Sequence, residues 1–263
     1  TRTMLEPQIC LIFWLMKKCD AVFAVSIFEK EYLISKGLNK NKVFVAYNAI
    51  NPEEYKPEDL GNFKRELFEK YEIKNDTKII IFVGRKIEYK GIKTLIEAVG
   101  ILRREMPIKL FLVGPNFSWF QEYYSTLSET EKKDIIDFGV VSHQEKVNLL
   151  HLSHLLVLPS KFEAFGIVFL EAWICGLPVI GSDIGVLPKI IDKGGLVFKY
   201  GDVEDLKEKI KILLSNQRLY KEMARYGREK VVNDYELNKV GKRILSRYFL
   251  VRRNKLKALV VSN

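Results

Sequence analysis

The sequence has few of the residues that staple or metallate a domain. Its three cysteines, Cys10, Cys19 and Cys175, fall into no metal-ligand spacing. A sparse, odd count suits a reducing cytosol, and all three are expected to be packing residues. Three histidines, His143, His151 and His154, lie in or beside one helical stretch, HQEKVNLLHLS, and there is no Asp-x-Asp pair, so no metal site is expected. No apolar run near the start approaches the ~20 residues of a bilayer-spanning helix. The longest there, ICLIFWLM (9–16), lacks the small-residue cleavage site of a signal peptide and reads as a buried helix. A Walker loop and the glycine-rich dinucleotide fingerprint are both missing, as are internal repeats and low-complexity tracts.

What is present suits a folded α/β protein. Of 263 residues, 48% are hydrophobic and 12% aromatic, ample for a core of one large domain or one domain plus part of another. Lys and Arg number 43 against 33 Asp and Glu, a formal charge of +10. That balance is compatible with a phosphate-bearing partner, nucleic acid or an anionic membrane surface, and by itself selects none of them. The densest basic run, VRRNKLK (251–257), reads either as a solvated helix end or as a membrane or nucleic-acid patch.

Along the chain, AVFAVS and KVFVAYNAI (42–50) read as strands on either side of a helix, IFEKEYLISKG, closed by Gly37. One βαβ unit cannot bury both faces of its sheet, so residues 1–50 read as the end of a larger domain. The stretch 51–76, opening with NPEEYKPEDLGN, has linker composition. From there to 234, six short apolar runs alternate with helical patterns: KIIIFVG, KLFLVG, IIDFGVV, HLLVLPS, LPVIGS and GGLVFKY. Ile92, Leu95, Ile96, Val99 and Leu102 fall on one helical face, as do Val203, Leu206, Ile210, Leu213 and Leu214, the second set preceded by Asp202 as an N-cap. Buried strands alternating with helices predict a doubly wound parallel sheet of Rossmann-like type, with ligands outside the carboxyl ends of its strands. Residues 235–263 carry no strand signal and read as one long helix.

The chemistry-bearing residues fall in the loops at those strand ends. In GRKIEYKG, Gly84 permits a tight turn, Arg85 and Lys90 supply two cations, and Gly91 opens a helix, an arrangement suited to a diphosphate. In KFEAFGIVFLEAW, a helix is expected from about Gly166 to Cys175, with Gly176 closing it. The amides of Gly166, Ile167 and Val168 at its start would suit a phosphate. Glu171 is the single polar residue within IVFLEAWIC and needs a partner. It either pairs with a buried Arg or a neighbouring loop, or accepts hydrogen bonds from sugar or ribose hydroxyls. Glu163 lies in the preceding turn and can face a cleft. A glycosidase pair would need the two carboxyls ~5–10 Å apart across one bond, which a helical Glu171 and a loop Glu163 do not favour.

The run PSKFEAFGIVFLEAWICGLPVIGSDIG, preceded by FVGRKIEYKGIKTLIEAV, resembles the donor-binding half of retaining glycosyltransferases of the GT-B fold, family 4 type. Glu163 and Glu171, with seven residues between them, and then Gly176, Pro178 and Val179, match that family's pattern. The resemblance implies that Arg85, Lys90 and Glu163 are catalytic, the two cations holding the donor diphosphate and Glu163 facing the transferred sugar. It implies donor contacts from Gly84, from Val140 beside the nucleobase, from the amides of Phe165, Gly166, Ile167 and Val168, and from Glu171 to the ribose. It implies no metal and no cofactor beyond the nucleoside-diphosphate sugar, which is the donor substrate. Residues 1–50 would end the acceptor-side domain, 51–76 would link the domains, 77–234 would bind the donor, and 235–263 would cross back.

The activity so implied is sugar transfer with retention to a glycan or lipid-linked acceptor, in the cytoplasm or at the cytoplasmic face of the membrane. An anionic membrane surface stays open as a partner; nucleic acid does not. The alternative is a nucleotide-sugar binding module that is inactive alone and needs a partner chain or a missing domain. Ala49 stands where the family has a hinge glycine, which puts the hinge geometry in question. Lys189 and the pair Gly185-Val186 also depart from the family's pattern.

Overall fold

The computed structural model describes residues 7–261, which form two compact units, one made of residues 7–49 and 234–261 and the other of Ile50–Asn233. In the first, α1 (Pro7–Lys18) precedes two parallel strands, β1 (Val22–Ala24) and β2 (Val43–Val45), joined by α2 (Ile27–Ser35). Ser26 caps α2 by accepting from the Glu29 amide at 3.0 Å, while the Glu29 carboxylate accepts from the Val25 amide at 2.6 Å. Val22, Ala24, Leu33, Leu38 and Val43 form the core of this unit, with Phe13, Met16 and Ile34 packed on it. Its last element is α12 (Leu237–Val261), whose Arg247 guanidinium lies 5.7 Å from the centre of the Phe44 ring. The side chains of 255–257, within the basic run at 251–257, lie outside the described residues.

Two expectations fail in this unit. ICLIFWLM forms α1 but is not buried: Leu11, Ile12, Trp14 and Leu15 are each about half exposed, because only Phe13 and Met16 have a core to enter. Cys10 and Cys19 are likewise exposed rather than packed. Ala49 raises no conformational difficulty. Among the described residues, the non-glycine positions with positive φ are Asp59, Glu72 and Asp192, so the backbone at Ala49 asks for nothing that alanine resists.

The first α-helix of the second unit is α3 (Leu60–Lys70). The unit continues through β3 (Lys78–Val83), α4 (Ile92–Leu102), β4 (Ile108–Val113), α5 (Ser118–Thr126), α6 (Glu129–Lys132), β5 (Ile135–Gly139), α7 (His143–Leu152), β6 (Leu155–Leu158) and α8 (Ile167–Ile174). It ends with β7 (Val179–Ser182), α9 (Leu187–Ile191), β8 (Gly195–Phe198), α10 (Val203–Ser215) and α11 (Gln217–Lys230). The strands pair in parallel in the order β5-β4-β3-β6-β7-β8. Successive strand residues point to opposite faces, so full burial of Ile79, Ile80, Ile81 and Phe82 means helices cover both sides. This is a doubly wound, Rossmann-like sheet. The chain moves outward in one direction from β3 to β5 and in the other from β6 to β8, so strand order reverses between β3 and β6, where a crevice opens at the carboxyl ends.

The stretch 51–76 is not a free linker. Pro52–Tyr55 forms a 3₁₀ turn, α3 follows, and Tyr55, Leu67 and Ile73 are buried. Helix α7 holds it down with polar side chains. Asn148 accepts from the Glu58 amide and donates to the Glu58 carbonyl (3.1 and 2.8 Å), and the His143 and His151 rings bond the carbonyls of Glu54 and Tyr55 (2.8 and 2.9 Å). The third histidine, His154, accepts from the Ile79 amide at 3.1 Å through Nδ1, and burial lowers its pKa to about 4.

Helix α8 is fixed from behind by Trp173, which is fully buried and donates from Nε1 to the Gly194 carbonyl at 2.8 Å. Helix α11 crosses this indole at Gly227, where an added Cβ would come within 2.1 Å of Trp173 Cδ1. Glycine to alanine inside a helix ordinarily gains up to ~1 kcal/mol, whereas forcing atoms into a filled core costs ~1–3 kcal/mol. Gly227→Ala is therefore expected to destabilise the protein by up to about 2 kcal/mol net, read as a lowered urea midpoint. A raised midpoint would mean that the indole yields without strain.

Candidate functional site

The turn after β3 and the turn after β6 meet across the crevice because a glycine lets them. Gly91 has φ +69 and would place a Cβ 2.1 Å from the Pro159 carbonyl oxygen, so only glycine permits this approach. The Lys161 amide then donates to the Tyr89 carbonyl at 2.7 Å, joining the two turns. Arg85 and Lys90 are arranged about one ring: the Arg85 guanidinium donates to the Tyr89 hydroxyl at 2.9 Å, and Lys90 Nζ lies 5.5 Å from the Tyr89 ring centre. Arg85 is exposed, while Lys90 is largely covered.

Glu163, which its place in the turn allows to face a cleft, is held by two partners. Its Oε1 accepts from Lys90 Nζ and, at 2.9 Å, from the Ser160 hydroxyl. Both members of the ion pair are 12% exposed. Lys90 thus reaches from one turn to the other, and its charge is balanced before any ligand arrives.

Helix α8 opens at Gly166, whose φ of +81 sets the angle of the first turn. The amides of Ile167 and Val168 belong to that first turn, where the helix provides no acceptor of its own. The Phe165 side chain is 2% exposed, so only its backbone can serve a ligand. Val140, on the turn after β5, is 76% exposed, and Gly139 before it has φ +64. Gly84 directly follows β3 and donates its amide to the Val113 carbonyl at 2.9 Å.

Glu171 is 7% exposed within α8. It pairs with a lysine, not an arginine: Lys146 of α7 donates to Oε1 at 2.8 Å, and the Tyr55 hydroxyl donates to the same oxygen at 3.0 Å. Burial and the adjoining carboxylate raise the Tyr55 pKa, so the phenol stays a donor. Among the described residues Oε2 of Glu171 receives no hydrogen bond, yet no buried polar atom there lacks a partner, so Oε2 keeps access to its surroundings. Of the sequence alternatives for Glu171, internal pairing is present on Oε1, with a lysine and a tyrosine in place of the arginine, and Oε2 has no internal donor among the described residues. Cys175 lies nearby, its thiol pushed up to about 12 by burial and by Glu171, which leaves it a packing residue as expected.

Sequence reasoning missed Tyr55, Lys146 and Lys86. Lys86, beside Arg85, is fully buried and bonds Asp137 of β5. The available signal was Asp137 itself, an acid inside the apolar run IIDFGVV that requires a counter-charge.

A family model described as glycosyl transferases group 1 matches residues 63–230. The chain belongs to that family. It is 29% identical over 251 residues to N-acetyl-alpha-D-glucosaminyl L-malate synthase of Bacillus anthracis, covering 93% of this chain and 63% of that protein. It is 28% identical over 231 residues to a Campylobacter jejuni N,N'-diacetylbacillosaminyl-diphospho-undecaprenol alpha-1,3-N-acetylgalactosaminyltransferase, covering 85% and 58%. Its fold is like that of Anabaena HepE, solved in complex with UDP and glucose, with TM-score 0.79 and 18% identity over 93% of this chain and 67% of that one. The chain thus spans 63% and 58% of the length of these two curated relatives of the glycosyltransferase family.

The Lys146–Glu171 pair is mostly covered, with side chains 20% and 10% exposed. Removing one partner strands the other. Lys146→Met should lower stability by about 1–3 kcal/mol, and adding Glu171→Gln should restore most of the loss. Chemical denaturation of the two variants checks this; losses that simply add would show that the residues are not coupled.

Proposed function

We propose that this chain supplies the donor-binding half of a glycosyltransferase that moves a sugar from a nucleoside-diphosphate sugar to an acceptor with retention of configuration. The observation that carries the reading is the placement of Arg85, Lys90 and Glu163 at the point where strand order reverses, with both cations set about the Tyr89 ring. Departure of a nucleoside diphosphate leaves negative charge on a phosphate oxygen while the sugar gains oxocarbenium character. Fixed cations at that oxygen stabilise the first change, and a carboxylate facing the sugar suits the second.

Arg85 and Lys90 would hold the diphosphate, aided by the first-turn amides of α8. Lys90 is already oriented by Glu163, so the ligand finds a cation in place rather than one to be immobilised. Glu171 Oε2 would accept from the ribose hydroxyls while Oε1 stays with Lys146 and Tyr55. The turn at Gly139 and Val140 would meet the nucleobase. Retention would proceed without a protein nucleophile, the departing phosphate taking the acceptor's proton. The roles of these residues need neither a metal nor another cofactor. That a HepE structure was solved with UDP and glucose supports a nucleotide-sugar donor.

In this reading Arg85→Ala and Lys90→Ala each weaken binding of the matching nucleoside diphosphate by roughly 10- to 100-fold, the worth of a charge-assisted hydrogen bond. Affinity for the nucleoside alone should change little. Calorimetry with UDP, GDP and ADP makes the comparison; equal losses for diphosphate and nucleoside would assign the cations to fold support.

We also propose a glycan or lipid-linked acceptor, reached from the cytoplasmic face of a membrane. The charge of +10 and the exposed Arg252 and Arg253 of α12 support attraction to anionic lipid, and among the described residues no helix is long and apolar enough to cross a bilayer. The protein should sediment with vesicles containing anionic phospholipid and release as salt rises. Indifference to lipid charge would remove the membrane from the proposal.

A further inference from the structure

Lys86 is 0% exposed, and all three of its ammonium protons are used. Nζ donates to the Gly114 carbonyl and to Asn116 Oδ1, each at 2.6 Å, and to Asp137 Oδ1, while the Phe120 ring covers it with its centre 5.5 Å away. These acceptors sit at the carboxyl end of β4, on the loop after it, and within β5. The Lys86 amide adds a bond to the Pro115 carbonyl at 3.0 Å. One buried cation therefore ties the ends of three adjacent strands together.

The ties converge on Gly139. Its amide donates to Asp137 Oδ1 at 3.0 Å, the oxygen that also holds Lys86, and its carbonyl accepts from the Gly114 amide at 2.7 Å. Asp137 Oδ2 accepts from Asn116 Nδ2 at 2.9 Å, so the carboxylate cannot swing. Gly139 has φ +64 and hands the chain directly to the exposed Val140. Burial pulls the Lys86 ammonium below the usual lysine range, and the hydrogen bond and charge of Asp137 act against that pull. Buried ion pairs can often be replaced by apolar groups without loss of stability. What this network provides is directed bonds to the backbone of Gly114 and Gly139.

We propose that Lys86, acting through Asp137 and Gly139, is a positioning residue that sets the turn at Gly139 and Val140 for recognition of the donor's nucleobase. The proposal rests on the reading that this turn meets the base. Bases present in-plane donors and acceptors, and main-chain groups can discriminate among them only if held to about half an ångström. Arg85 and Lys90 reach the diphosphate from the same loop, so base and phosphate recognition are joined by one stretch, 84–91, with Lys86 serving the first.

The test is calorimetry of wild type and Lys86→Met with UDP, GDP and ADP, and separately with inorganic pyrophosphate. For the diphosphate that wild type prefers, affinity should fall by roughly tenfold or more, the loss of one well-made hydrogen-bonded contact. Preference among the three bases should narrow, and pyrophosphate should bind within about twofold of wild type. A purely structural lysine would lower thermal stability without altering base preference, or would weaken pyrophosphate and nucleotide together; either outcome overturns the positioning role.

Should Lys86→Met fail to fold, Asn116→Ala keeps the Lys86–Asp137 pair and removes only the bonds Asn116 makes to it. The same shift in base preference, smaller in size, is expected, and an unchanged preference overturns the role. Wild type that binds none of the three nucleotides would defeat the donor-binding reading, and this proposal with it. Nucleotide binding that survives intact in folded Lys86→Met defeats the positioning role alone.

Discussion

Three ion pairs at the carboxyl edge of the large sheet are each largely covered, every charge shielded by its partner. Lys86 holds Asp137 beneath the turn after β5, Lys90 holds Glu163 between the turns after β3 and β6, and Lys146 holds Glu171 on the inner side of α8. Each ion buried alone would carry a desolvation penalty of several kcal/mol, and each pair offsets much of that through close contact and extra hydrogen bonds. Proper pairing is thus a condition for having the covered charges Lys86, Lys90 and Lys146 there, whereas Arg85, which is exposed, keeps its hydration. It also fixes where they point, since each partner is mounted on a different element.

That arrangement differs from a set of free cations waiting in solvent. On the proposed reading, a diphosphate must share Lys90 with Glu163, and it brings more negative charge than the carboxylate alone. The exposed Arg85 adds a second cation with no carboxylate among its described partners, only the Tyr89 hydroxyl. Attraction from the pair of cations then favours the larger anion, while Glu163 is left able to turn its charge toward the sugar. The pre-existing contact lowers the ordering entropy of binding, because the lysine is already confined.

The fold was legible from the sequence because its signals are local and repeated. Six apolar runs ending in turn residues, with helical faces between them, became the six parallel strands, and Gly91, Gly166 and Asp202 mark helix starts where they were read. Placement of Arg85, Lys90 and Glu163 at strand ends, and of Glu171 in the helix that follows β6, agrees with the same pattern. Long-range pairing did not. Nothing in GRKIEYKG distinguishes the lysine that is fully buried from the one that faces Glu163, since the difference lies in Asp137, 51 residues onward. The opening of 51–76 suggested a linker because NPEEYKPEDLGN carries two prolines, a glycine and several acids. What fastens its first part is a set of side chains on α7, whose partners are backbone groups that carry no sequence signature.

Helix α1 shows the converse limit. Its apolar residues promised burial, but burial needs a surface to pack on, and a pair of three-residue strands with one connecting helix offers room for little beyond Phe13 and Met16. Hydrophobicity in a sequence states what a segment would gain from a partner, not that the partner is within the same unit. The same logic, applied to charge, makes Glu171 informative. A carboxylate amid Phe169, Leu170, Ala172 and Trp173 had to find donors, and it found two for one oxygen. Had both oxygens been matched internally, the residue would be explained by packing alone. With one oxygen occupied and the other without an internal donor among the described residues, the pairing anchors the carboxylate on a helix and fixes the direction of its remaining acceptor, which the proposed contact to a ribose hydroxyl would use.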